Sequence, residues 1–397
     1  MSSWFKSRRS LLKLTLALPI TGLIATVINS RQAKNTSALH EEFLFSAQGR
    51  DSNHYSLGWV DNIKAPSKAM SHNASSQFRG HGVNQNPALP EQVIMMSRRP
   101  GLQGVVFNVK KMAIVNTFDC KAEHHFQGHS CFSSDGKFLY STESSISTGA
   151  GKISVRETTT FKQVAEFESY GIGPHQIELM PDGETLVIAN GGLLTHPDSG
   201  REILNLSTMD SSLVYVNRHT GNLISQHRLT QEIFDDDFDM SKASIRHLDV
   251  AADGIVVMGL QVQRKAMPSD ELVPLAVIHK NNQLQLLTAP NNLTRQLNDY
   301  MGSVKIDNKT RTVGYTSPRG NLAVFWNLDD LSLQAFHNFH DVCGLSLSAD
   351  NKYFILSNST GKIRFIDCKL LTEDKTQRLY FAHQSWDNHM LNIHLTS

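Results

Sequence analysis

Short apolar runs of strand length, each bounded by polar turn residues, recur along most of the chain. Leu139-Tyr140, Leu186-Val187-Ile188-Ala189 and Ile255-Val256-Val257-Met258 each follow an Asp-Gly pair: Asp135-Gly136, Asp182-Gly183 and Asp253-Gly254. Asp-Gly between apolar runs is a strong hairpin signal, because both turn positions tolerate positive φ. The unit is larger than one hairpin. Five segments carry a histidine, and it stands at the same point of the repeat in each: His81, His129, His175, His247 and His389. Two further copies, starting at Gly302 and at Cys343-Gly344, keep the pattern without the histidine.

Seven copies result. Spacings of 48, 46 and 45 residues separate His81 from His129, His129 from His175, and Gly344 from His389. This is the length of one four-stranded propeller blade. The 72 residues from His175 to His247 predict an insertion in the third blade, placed between Asn190 and Ser212. The last copy is cut short, and a lone strand there would leave an unpaired edge. The segments Glu42–Gln48 and His54–Asp61 belong to no complete blade. Pairing them with residues 389–394 predicts an all-β, seven-bladed β-propeller of the YVTN or WD40 kind, closed by N-terminal strands that complete the last blade. The stretch from Ile63 to Gln77, rich in Ser, Ala, Lys and Asn, then reads as the connector into the first blade.

The first thirty residues stand outside this pattern. Arg8-Arg9, with Leu11-Leu12 and Lys13, precede an apolar stretch from Leu14 to Ile28, as in a twin-arginine signal for export of folded proteins. The alternatives are an ordinary secretory signal or an uncleaved anchor, although the stretch is short for a membrane span. The expected organisation is a signal over 1–30 and a propeller over 40–397. The expected location is the periplasm, with a membrane tether if the signal stays uncleaved.

Composition adds little except histidine. The formal net charge is +1, which argues against a nucleic-acid partner, and the expected state is a monomer. The 18 histidines suit metal or proton chemistry. Repeat symmetry should bring His81, His129, His175, His247 and His389 to one rim of the central channel. Neutral imidazoles there suit iron, copper or zinc. Three or four could serve one ion, whereas five exceed a tetrahedral set. A structural role competes, because Gly80-His81 and Gly128-His129 look like the Gly-His pair of Trp-Asp repeats, whose imidazole serves an internal hydrogen-bond network. Trp-Asp occurs once, at Trp386-Asp387 just before His389, and the other repeats lack it.

Arg79, Arg246 and Arg319 lie near blade entries or hairpins, where guanidinium forks could hold a carboxylate, phosphate or chelated anion. Arg98-Arg99-Pro100-Gly101 reads as a structural hairpin turn. Asn190 and His196, in the blade-three insertion, are further ligand-binding candidates. Asp235-Asp236-Asp237 with Asp239 lacks calcium-loop spacing and reads as a solvated acidic turn. Cys120, Cys131, Cys343 and Cys368 form no CxxC; they admit disulfides or serve as buried small hydrophobes. No CxxCH, P-loop, dinucleotide fingerprint, HExxH or GxSxG occurs, so covalent haem, nucleotide and the common hydrolase routes have no support.

With Arg79-Gly80-His81, Arg98-Arg99-Pro100-Gly101, Gly128-His129, Gly173-Pro174-His175, Ala189-Asn190-Gly191-Gly192, Arg246-His247-Leu248 and Ser317-Pro318-Arg319-Gly320 in view, the chain resembles a family of twin-arginine-exported bacterial propellers, domain of unknown function 1513. The resemblance implies partners among periplasmic iron-acquisition proteins of the imelysin-like and di-haem kinds. Cys131 departs from the family, which carries a larger apolar residue there. Three functions follow as expectations: a protein that binds or handles a metal or metal chelate, a metal-dependent lactonase- or oxidoreductase-like enzyme, or an interaction scaffold.

Overall fold

The computed structural model describes residues 41–49, 54–200, 202–230, 234 and 238–395. These residues build seven four-stranded antiparallel sheets. The innermost strands of blades 1 to 6 are Gly80–Gln85, His124–Phe132, Pro174–Leu179, Ala243–Val250, Ser303–Asp307 and Val342–Leu347. Blade 7 runs Leu391–Leu395, Glu41–Gln48, Tyr55–Asp61, Met70–Ser76 from the channel outward. Each inner strand packs beside the next, and Leu391–Leu395 packs beside Gly80–Gln85, so the ring is closed.

The closure forms as the truncated repeat requires. Phe43 pairs with Ile393 and Phe45 with Leu391. The buried Glu42 carboxylate locks the seam, accepting from Asn392 Nδ2 at 2.6 Å and from the Ala349 amide of blade 6 at 2.8 Å. Apolar side chains meet between neighbouring blades: Phe45 and Trp59 of blade 7 lie 5.6 and 5.0 Å, ring to ring, from Phe107 of blade 1. Burying such rings removes well over 100 Å² each from water, which is the main source of stability in a sheet-on-sheet core.

Two expectations need correction. Residues 63–77 are not only a connector, because Met70–Ser76 is the outer strand of blade 7. Its partner across the ladder runs from Asp61, opposite Met70, to Tyr55, opposite Ser76. The spacing between His175 and His247 also has two sources. The loop from 191 to 211 carries the predicted insertion, and a second long connection joins Leu223–Arg228 to Ala243–Val250. The arginine pair at 8–9, Arg201 and Asp235–Asp237 lie outside the described residues. All four cysteines are free thiols, and Cys131, Cys343 and Cys368 are buried.

Candidate metal centre

The inner strands are not regular where the histidines sit. The register slips between Gly80 and Val83 in blade 1, between Phe126 and Ser130 in blade 2, between Pro174 and Gln176 in blade 3, and between Ile245 and His247 in blade 4. A bulge adds a residue on one strand and re-aims the side chains beside it. His81, His129 and His175 lie within these slips, and His247 ends the fourth, behind the bulged Arg246. His389 precedes the blade 7 strand and takes the left-handed region, φ +65°, which is uncommon for a residue with a side chain. Glycine permits the approach of blades 1 and 2. A Cβ on Gly128, itself at φ +109°, would stand 2.6 Å from His81 Cδ2, and one on Gly82 would stand 2.7 Å from Gly128 O.

The result is a cluster of five imidazoles in the channel rather than a ring at its rim. Ring centroids lie 4.5 Å apart for His247–His389, 4.6 Å for His129–His389, 4.7 Å for His81–His129 and His81–His389, and 4.8 Å for His129–His175 and His175–His247. Four of the five are buried, and His389 keeps some surface in the channel. Two overlapping groups have their ligand nitrogens within 4.8 Å of one another: His81, His129, His175 and His129, His247, His389. His129 belongs to both.

These rings have little to bond. Both nitrogens of His81 and of His247, Nε2 of His129 and of His389, and Nδ1 of His175 are buried without a hydrogen-bond partner. Among the described residues, His389 Nδ1 has a side-chain hydrogen-bond partner, Ser303 Oγ at 3.2 Å. The Gly-His network of Trp-Asp repeats is therefore not what His81 serves. Burial is the first cause that lowers every one of the five pKa values. Neighbouring histidines add to it for His81, His129, His175 and His247, as does Arg246 for His129, His175 and His247. His389 falls to about 3, burial and Arg98 outweighing the Asp387 carboxylate. The cluster is a set of neutral imidazoles, the form that ligates metals.

Two cavities meet this cluster. One, of about 380 Å³, is lined by His81 and His175 together with Arg79, Arg98, Arg99, Arg246 and Arg319. Its walls are largely equivalent hairpins, those joining the second and third strands of blades 1, 3, 4 and 5, which supply Arg98 and Arg99, Leu193 and Ile203, Gln263, and Arg319. Arg79 donates Nε and Nη2 to the buried Asp387 carboxylate at 2.6 and 2.9 Å, and Arg98 Nη1 stands 3.5 Å from it. Burial opposes the charge on Asp387, but those arginines hold its pKa below the usual carboxylate value. Arg319 lies over the Tyr300 ring at 5.0 Å, and Tyr300 Oη accepts from Asn388 Nδ2 at 3.1 Å. Burial pushes the Arg99 guanidinium well below its ordinary pKa, aided by the charges of Arg246 and Arg98.

The second cavity, about 390 Å³, meets His129 and His389. There Lys305 Nζ bonds Asp249 Oδ1 at 2.9 Å. Burial, with the Asp249 charge, raises Glu178 to about 7.

The five histidines and Arg79, Arg246 and Arg319 thus come together at one site. Asn190 and His196 do not line either cavity. The Asn190 amide is buried and donates to Ser169 O at 2.7 Å, while His196 Nδ1 accepts from the Asp198 amide and caps the turn Pro197–Ser199. Arg98 and Arg99, read from sequence as a structural turn, line the cavity instead. The signal that would have found them is their hairpin's equivalence to the Arg319 hairpin. Gln261, Gln263 and Tyr300 carry no repeat signal.

The family model described as "Protein of unknown function (DUF1513)" matches residues 75–393. The chain belongs to this family. No curated protein matches it. Among solved structures, Kuenenia stuttgartiensis hydrazine synthase superposes with a TM-score of 0.60 at 15% identity, covering 81% of this chain and 94% of that one. The β-propeller domain of Myceliophteria thermophila Cps50 (Swd1) superposes with a TM-score of 0.52 at 11% identity, covering 79% and 89%. At these identities the likeness is one of fold.

Proposed function

We propose that this DUF1513 protein is an exported, periplasmic metal-binding protein whose histidine cluster holds a transition-metal ion, with iron, copper and zinc the candidates. The observation that carries the reading is the convergence of neutral imidazoles whose buried nitrogens have no partner in the protein. Each such group costs about 1–3 kcal/mol of desolvation without a compensating bond. A borderline cation offers those nitrogens the partner that they lack. Tetrahedral ligand nitrogens about 2.1 Å from one ion stand about 3.4 Å apart. The nitrogens of each group lie within 4.8 Å of one another, so side-chain rotation would draw them in around an ion. Export rests on Arg8-Arg9 and the apolar stretch after them. A metal-dependent enzyme is the second reading, favoured by the cavity that gives a ligand access to His81 and His175.

The test is elemental analysis of tag-free protein incubated with iron, copper or zinc and then dialysed. We expect about one ion per chain, and its loss in His129→Leu, which removes the member common to both groups. Leucine fills the space without an orphaned polar atom, so the metal-free variant should keep the wild-type melting temperature. Wild-type protein that retains none of the three metals would overturn the proposal.

A further inference from the structure

The arginine-lined cavity has its own chemistry, apart from the imidazoles beneath it. Five guanidinium groups, those of Arg79, Arg98, Arg99, Arg246 and Arg319, line a space whose carboxylates are Asp341 in the wall and Asp387 behind Arg79. The histidines there are neutral, so they neither add to that positive charge nor offset it. Arg99 keeps part of its surface exposed, but its Nη1 is buried with no partner, and so is Nε2 of Gln263. Both orphaned atoms are N–H donors, and their complement is a group made of acceptors. A guanidinium fork matches the paired oxygens of a carboxylate or phosphate. The volume, about 380 Å³, is in the range of small-ligand sites.

We infer that this cavity is a receptor for a small oxyanion, held by Arg99 and Arg319 with the Gln263 amide and lying against His81 and His175. The inference goes beyond metal binding, since the anion's donors are the arginines and the Gln263 amide rather than the imidazoles. Where a metal is also present, the two ligands are neighbours, and the protein takes both a cation and an oxyanion at one end of its channel. Arg319 is exposed on a hairpin, so replacing it leaves no buried gap.

The experiment is calorimetric titration of metal-free protein at pH 7.5 and low chloride with sodium oxalate and, separately, sodium phosphate. Saturable binding of at least one anion is expected, weakened tenfold or more in Arg99→Gln and in Arg319→Gln. It should be unchanged in Lys110→Gln, on the exposed outer surface. Preference for oxalate identifies a carboxylate ligand, and preference for phosphate a phosphoryl one. Should Arg99→Gln fold poorly, Arg319→Gln decides, with its melting temperature as the control. The inference is overturned if neither anion binds, or if binding keeps wild-type affinity in folded Arg319→Gln. Metal content is measured on the same preparations. Protein that holds metal but takes no oxyanion ends this inference alone; protein that takes oxyanion but no metal ends only the metal reading.

Discussion

The depressed basicity of the channel histidines makes the metal-free protein sensitive to mild acid, and His389 allows the effect to be sized. Its pKa in the folded protein is about 3. In the unfolded chain it is about 6.5. Above that value the imidazole is neutral in both states and contributes no pH dependence. As pH falls below it, the unfolded chain takes up a proton that the folded chain refuses, so stability drops until pH reaches the folded value. At pH 5 the loss is about 2 kcal/mol from this residue, one and a half pH units at about 1.36 kcal/mol each. The other four histidines shift the same way and add to the loss. Urea unfolding at pH 7.5 and 5.0 checks this, comparing wild type with His389→Asn, because asparagine tolerates the left-handed backbone at that position. The variant should lose about 2 kcal/mol less than wild type between the two pH values. Equal losses would refute the argument, since they would mean that His389 titrates alike in both states.

Two further outcomes follow from the same geometry. Because the ligands are neutral before a metal arrives, binding at pH 7 should release far less than one proton; calorimetry in buffers of different ionisation enthalpy measures this directly. Arg79→Leu leaves the fully buried Asp387 with Arg98 at 3.5 Å as its remaining arginine, and should lower unfolding stability by about 3 kcal/mol, read from denaturant midpoints.

Much of the fold was legible because each blade repeats the same local signals. Asp-Gly turns before apolar runs marked the hairpins, and the incomplete last repeat demanded the N-terminal strands. The missed strand, Met70–Ser76, had no such mark: most of its side chains are at least partly exposed, so its sequence need not alternate apolar with polar. The histidines were legible as a set because repeat position sets place in the ring. Their depth in the channel was not, because it depends on bulges that a strand pattern does not announce. The arginine cavity was read in part. Arg98 and Arg99 resembled turn residues because they are turn residues, and their role comes from which end of the channel that turn faces. Asn190 stands outside both cavities, with its Nδ2 donating to the backbone of the neighbouring blade.

The closing seam ties the site to the order in which the chain is made. His389 enters the channel on the segment that zips Leu391–Leu395 onto Glu41–Gln48. A ribosome delivers His81, His129 and His175 early, so the first nitrogen group can exist before the ring does. The second group waits for His389, and therefore for the final joining of the two distant ends of the propeller. A chain whose Leu391–Leu395 segment has not yet joined Glu41–Gln48 places at most four of the five imidazoles in the channel. The complete set appears only in a molecule that has finished folding, which makes the full cluster a built-in record of circular closure.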